Sequence, residues 1–416
     1  YRFFTDILGV APLGELLPDG SRIKPNPQEL VRLGGEPRDR NGLYSFQLTD
    51  EMREADYLDQ IRLIAVDHLA SEEVYANETY SSSPLRPALY AVAEKRFPVS
   101  AVDDRGSDVL PLIRARDGRY PTDFRRDRIL GLADPHTLTL DLGEFPDSAP
   151  VALYLTGWVF WTDSNASRAL MGSSRLRMIP PYLQVRDRRG QWVTVIPDMG
   201  LPSGTNRTMR VDLSGKFLSA DHHVRIVTNL CVYWDQIFFT GLAADPEPRL
   251  AELRELPLAA GDLHYRGFST PSSDPEHLRP DSFDYVHVMG EAPWNPFFGH
   301  YTRYGEVDRL LREADNRLVV LGTGDELTVT FSGQALPPVK PGWKRDFFLY
   351  VRGYAKDGEP NTAYYRTVEP LPFFEMVNYP YIPDQRYPQT PEQQRYLREY
   401  ETRPAHLLIP PLAPLR

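Results

Sequence analysis

"VALYLTGWVFWTDSN", residues 151–165, carries two of the six tryptophans of this 416-residue chain, and "FFLYVRGYAKDGEPN", residues 347–361, repeats its framework. Leu153/Leu349, Tyr154/Tyr350, Gly157/Gly353 and Asn165/Asn361 are shared, whereas Trp161 is matched by Asp357 and Asp163 by Glu359. The retained set, an apolar pair followed by a glycine, shapes a strand that bulges or lies very close to a neighbouring backbone. The aromatic rim and its acids are not retained. The stretch therefore reads as one structural strand used twice, with any ligand role confined to one copy.

Working outward, "DVLPLIRARDGRY" (108–120) aligns with "EVDRLLREADNRL" (306–318) through Val109/Val307, Leu112/Leu310, Arg114/Arg312, Asp117/Asp315 and Arg119/Arg317. "TLTLDL" (137–142) and "ELTVTF" (326–331) fall between the two matched blocks in each copy. Three ordered blocks at nearly constant spacing imply a diverged internal duplication, one copy near 98–165 and the other near 296–362.

Strand patterns dominate the remainder: "YSFQLTD" (44–50), "DQIRLIAVDH" (59–68), "RTMRVDLSG" (207–215), "HVRIVTNLCVYWDQIFF" (223–239) and "DFFLYVRGYAK" (346–356) alternate or run apolar between turn residues. "YLQVRDRRGQWVTVI" (182–196) reads as a hairpin turning at its Arg-Gly pair. The 39 prolines disfavour long helices. "TPEQQRYLREYETR" (390–403) is the one well-signalled helix: Thr390 caps, Pro391 opens the first turn and Gln393 completes a capping box. "PRLAELREL" (248–256) is expected to be a linker or short connecting helix.

The expected architecture is mainly β, with two or three packed β-sandwich or jelly-roll units and few short helices. The segments are 1–130, an N-terminal β-rich region; 131–245, a β-sandwich; 246–295, a loop-rich linker; and 296–416, a second β unit with a Pro-rich tail and C-terminal helix. Residues 1–130 and 246–295 are expected to complete the sheets of their neighbours.

A formal net charge of −10 argues against nucleic acid or an anionic membrane as the main partner, since both require concentrated Lys and Arg. No apolar run is long enough to span a bilayer. The chain opens on Tyr1 without a leader and reads as a processed or partial product. Cys231, the single cysteine, lies in an apolar run and is expected to be a buried thiol. No Walker loop, G-x-S-x-G elbow, H-E-x-x-H helix or Cys/His zinc spacing occurs, so no catalytic residue, metal site or cofactor is assigned. His222 and His223 would point to opposite faces of a strand, and the sequence has no calcium loop. Sequons stand at Asn77, Asn165 and Asn206.

Trp158, Trp161 and Trp192, with Asp163, form the candidate glycan-binding set, because an aromatic face stacks on a sugar ring while a carboxylate takes its hydroxyls. The competing reading places the tryptophans in a sandwich core. Paired acids for glycoside hydrolysis, such as Asp163 and Asp235, cannot be picked out by spacing among 57 acidic residues. "YWDQIFF" (233–239) resembles the last strand of galactose-binding-like jelly rolls, whose Asp fixes a loop; this implies a fold for 131–245 and no ligand.

"YRFFTDILGVAPLG" (1–14), "EADYLDQIRLIAVDH" (54–68), "TNLCVYWDQIF" (228–238) and "GWKRDFFLYVRGYAKDGEPNTAYYRTVEPLPF" (342–373) resemble the region after the FG-GAP repeats in large bacterial FG-GAP/tetratricopeptide proteins of the cartilage-acidic-protein-like type. The resemblance covers most of the chain. It implies an exported, multidomain protein and a role in adhesion, scaffolding or extracellular binding, and brings no catalytic residues. The FG-GAP calcium loops and tetratricopeptide repeats of the full pattern are missing from this sequence. The functional expectation is a non-catalytic extracellular or cell-surface interaction module with protein partners or self-assembly; the alternatives are a carbohydrate-binding module and, third, a glycoside hydrolase.

Overall fold

Val151–Phe160 is buried along nearly its whole length. Leu153 and Leu155 face the core of a sandwich, while Ala152 and Tyr154 are covered by the hairpin of Glu73–Ala76 and Leu89–Val92. Burial of both faces is why the sequence here runs apolar without alternation. Tyr154 stacks on Phe238 at 4.9 Å, and Tyr75 packs on both rings.

The computed structural model describes residues 2–4, 12–24, 26–80, 87–146, 149–241, 252–290 and 294–405. It is mainly β, with 45% strand, 6% helix and several antiparallel sheets. The long strand His223–Gly241 organises one sandwich. Its first half pairs with Leu132–Asp141 and Tyr182–Arg186, and its second half with Val151–Phe160, which in turn pairs with Arg207–Asp212. The hairpin expected over 182–196 is present, with Gly190 in the left-handed region at its turn.

The other sandwich is assembled from both ends of the chain. One sheet holds Leu43–Thr49, Asp325–Ser332 and Leu258–Tyr265; the other holds Glu252–Leu256, Glu54–Leu69, Trp343–Asp357 and Gln28–Leu33. Leu48, Ile61, Leu63, Leu263, Val329, Phe331 and Leu349 pack between them. Sheet pairing thus cuts across the sequence segments 1–130, 246–295 and 296–416, and the sandwich built on 100–241 interrupts the other one. Where a linker or short connecting helix was expected over 248–256, the described part, Glu252–Leu256, is a strand pairing with Leu63–Asp67. Its two leucines stand three apart, a helix-turn spacing, and pairing with Glu54–Leu69 overrides that local signal, burying Leu256 and leaving Leu253 exposed.

The duplication is visible in the backbone. Ser164–Met171 follows one copy of the strand, and Asn361 Nδ2 donates to its own counterpart, Asn165 Oδ1, at 2.7 Å. A residue touching its counterpart lies near an approximate two-fold axis relating the copies. Around this contact Ser164 Oγ meets Thr362 Oγ1 at 3.0 Å and accepts from the Leu16 amide.

The C-terminal helix Pro391–Glu399 forms as its capping box predicts, with Thr390 accepting from the Gln393 amide. It docks through Tyr396, whose buried hydroxyl donates to Leu318 O at 2.7 Å.

Candidate functional site

Each copy holds the same loop-fixing device. Tyr233-Trp234-Asp235-Gln236-Ile237 in one sandwich corresponds to Tyr57-Leu58-Asp59-Gln60-Ile61 in the other. In both ladders the register skips the aspartate: Gly157 pairs with Trp234 and Thr156 with Gln236, while Gly353 pairs with Leu58 and Arg352 with Gln60. The bulged carboxylate reaches the duplicated loop. Asp235 Oδ1 accepts from the Asp117 and Gly118 amides, both at 3.1 Å, and Asp59 Oδ1 from Asp315 and Asn316 at 3.1 and 2.8 Å. Gln236 and Gln60 add Nε2 bonds to Arg114 O and Arg312 O. Gly118 and Asn316 adopt φ of 70° and 66°, the left-handed conformation those two residue types tolerate. The shared Y-x-D-Q-I signal was present in the sequence and would have completed the repeat.

Replacing Asp235 or Asp59 with Ala strands two loop amides, and for Asp59 also Arg352, its ion-pair partner at 3.2 Å. We expect a loss of about 3 kcal/mol for each Ala variant in urea unfolding, and less than half of that for Asn, whose carbonyl oxygen still accepts.

The four candidate glycan residues do not share a surface. Trp158 is 2% exposed and stacks on Tyr233 at 4.6 Å. Trp161, three residues on, is 40% exposed. Asp163 caps Ser164–Met171, accepting from the Ala166 amide and from Asn165 Nδ2. Trp192 lies on the far hairpin with Arg186 and Arg225 over its ring, at 4.9 and 4.4 Å. The core therefore claims Trp158, and arginines cover Trp192. Cys231 is buried, with its thiol pushed up to about 12 by burial. His222 stacks on Phe145 at 3.7 Å, while His223 bonds Asp221. Asn165 of the sequon trio is engaged by Asn361, Glu359 and Asp163.

Trp161 borders a shallow, solvent-open cleft lined by Trp158, Phe160, His277, Arg279 and Asp281. His277 stacks on Phe160 at 4.5 Å from a left-handed backbone (φ 49°), held by its amide bond to Asp274 O. The indole N–H of Trp158 is buried and has no hydrogen-bond partner. No protein-family model matches the chain, and no curated protein matches it. Among the described residues, no three Asp, Glu, His or Cys are placed to hold a metal ion, and no helix is long and apolar enough to cross a membrane.

The strongest charge concentration lies elsewhere, where the two sandwiches meet. Asp50 and Asp56 are 0% and 1% exposed, and burial followed by the neighbouring carboxylates holds both well above the usual range. Glu15 is raised in the same way, by burial and then by Asp357, with which it shares a hydrogen bond. Burial pushes Glu401 up to about 8 and Asp59 up to about 6, and lowers the enclosed Lys356 to about 7. The carboxyls stabilise the fold fully below their unfolded values near 4 and lose that contribution as pH rises through 6 and 8. Lys356 acts oppositely, losing its contribution as pH falls from about 10 toward 7. From pH 5 to 8 the carboxyls outnumber it. The melting temperature should fall by roughly 5 °C or more across that interval, and Glu401→Gln should flatten the profile above pH 6 in differential scanning fluorimetry.

Proposed function

We propose that the chain is a non-catalytic interaction module of an extracellular or cell-surface protein that works through protein contacts, including association with its own copies. The observation that carries this reading is the hairpin of Phe268–Ser272 and Ser282–Met289. Among the described residues its two strands pair with each other alone, and Val286 (82% exposed), in the bulge between Asp284 and Val288, is exposed together with Val288 and Met289. Exposed apolar side chains clustered on one short hairpin mark a contact surface. The resemblance to the region after FG-GAP repeats supports the exported setting.

Mass photometry and light scattering over a range of concentrations, with and without calcium, test the reading. The wild type should show defined oligomers that Val286→Asp/Val288→Asp abolishes. A monodisperse monomer under every condition overturns it.

A further inference from the structure

Trp192 opens the strand Trp192–Ile196, whose sheet continues through Tyr182–Arg186, His223–Gly241 and Leu132–Asp141. Side chains alternate across a strand, so Val185, Val224 and Leu140 fill the sandwich core while Thr194, Gln184, Arg225 and Thr139 point away from it. None of these four is buried. They are successive partners in register and form one row across four strands, about 14 Å long at the usual strand spacing of about 4.8 Å. The row is ordered by its own hydrogen bonds: Arg225 Nε and Nη2 donate to Gln184 Oε1 at 2.9 and 2.6 Å, and Gln184 Nε2 donates to Thr194 Oγ1 at 3.2 Å.

Two guanidiniums lie against the Trp192 ring, Arg225 at 4.4 Å and Arg186 at 4.9 Å. Stacking occupies their flat faces and leaves N–H edges for an acceptor. The carboxylates on this face do not balance them. Arg186 meets Asp221 at 3.2 Å, and His223 takes the other oxygen of that carboxylate at 2.6 Å. Arg225 has no carboxylate within ion-pair distance among the described residues, and burial followed by the like charge of Arg186 lowers its pKa against the pull of Tyr182. An arginine that is stacked and pre-ordered, with a second cation beside it and no counter-ion, suits an incoming oxyanion.

The chemistry of the surroundings selects what carries that oxyanion. None of the large exposed apolar side chains lies on these four strands, so the face lacks the apolar anchors on which protein partners build. Single-stranded nucleic acid needs open rings for its bases, whereas arginines cover this one, and the net charge of −10 repels a phosphate backbone. A sugar chain with carboxylates meets both features present, offering an anion to the guanidinium edges and hydroxyls to the amide and threonine row.

We propose that this face binds a uronic-acid polysaccharide, its carboxylates on Arg225 and Arg186 and its hydroxyls along the row of Gln184 and Thr194. The site shares no residue with the hairpin of Phe268–Met289 and goes beyond the self-association reading.

The test is calorimetric titration of the full chain with oligogalacturonates, alongside neutral malto-oligosaccharides and dextran sulfate. Saturable binding of the oligogalacturonates alone is expected, weakened roughly tenfold or more by Arg225→Ala and less by Gln184→Ala, which keeps the charge and removes only the acceptor that orders it. Trp161→Ala and Val286→Asp are the controls and should leave the affinity unchanged. Absence of saturable binding overturns the proposal. So does binding that Arg225→Ala leaves intact, or equal binding of the neutral sugars, which would mean that no carboxylate is read. Preference for dextran sulfate assigns the face to sulfate and overturns the uronate class. If Arg225→Ala does not fold, Gln184→Ala takes its place, and an unaltered affinity there overturns the proposal. Oligomers without uronate binding defeat this inference alone, whereas uronate binding by a strict monomer defeats the self-association reading alone.

Discussion

Gly353→Ala and Gly157→Ala are each expected to destabilise the protein by about 3 kcal/mol or more, and to lower its yield as folded material. A Cβ added at Gly353 would lie 2.4 Å from Tyr57 O and 3.3 Å from Leu58 Cα; at Gly157 it would lie 2.4 Å from Tyr233 O and 3.1 Å from Trp234 Cα. The obstacle is backbone in both cases, so no side chain can rotate aside, and relief requires moving the ladder that carries the bulged aspartate. Overpacking of a tight core costs about 1–3 kcal/mol when side chains can adjust, and more when they cannot. Moving the ladder would also pull Asp59 or Asp235 away from the loop amides it holds, which links the glycine to the aspartate in each copy. Gly34→Ala, with nothing within 4 Å of its added Cβ, is the control and should stay within about 0.5 kcal/mol of wild type. Urea unfolding of the three variants decides the matter. A Gly353→Ala protein as stable as Gly34→Ala would show that the close approach is not a constraint.

Arg207→Ala is expected to cost about 3–5 kcal/mol. Its guanidinium is 6% exposed and lies between two enclosed carboxylates, Glu29 at 3.1 Å and Glu78 at 3.0 Å. Glu29 sits on Gln28–Leu33 of one sandwich, and Arg207 opens Arg207–Asp212 of the other, so the ion pair ties the two together. Removing the arginine takes this cation from two buried carboxylates, a far larger penalty than the net worth of the pairs themselves. Glu78 also accepts from the Thr208 amide, so it cannot simply swing out to water. Arg207→Ala combined with Glu29→Gln and Glu78→Gln should recover much of the loss, because the uncompensated charge is then gone. Denaturant unfolding of the single and triple variants measures this, and a triple variant no more stable than Arg207→Ala would mean that lost packing dominates.

Much of the fold was legible in local patterns. The strands over 44–50, 59–68, 136–143, 151–161, 182–196, 207–215, 223–239, 325–333 and 346–356, the capped helix at Thr390 and the repeat through Gly157 and Gly353 all rest on alternation, turn residues and caps, which act over a few residues. The short helix Ser164–Met171 escaped notice because its sequence, Ser-Asn-Ala-Ser-Arg, carries little apolar periodicity, and only the Asp163 cap marks it. The Glu252–Leu256 strand was equally ambiguous, since five residues cannot separate the two periods.

The sequence by itself determined that this is a mainly β chain built on one motif used twice, because strand formation, bulging glycines and helix caps are local chemistry. Only the tertiary structure decided that the chain's two ends close one sandwich around an interrupting second one. Only it could decide that Trp158 is enclosed while Trp161 meets solvent, and that Lys356 is sealed beneath Tyr379 while its counterpart Phe160 borders a cleft. Those outcomes depend on which distant segment covers each face, and neighbours in space leave no imprint on spacing along the chain.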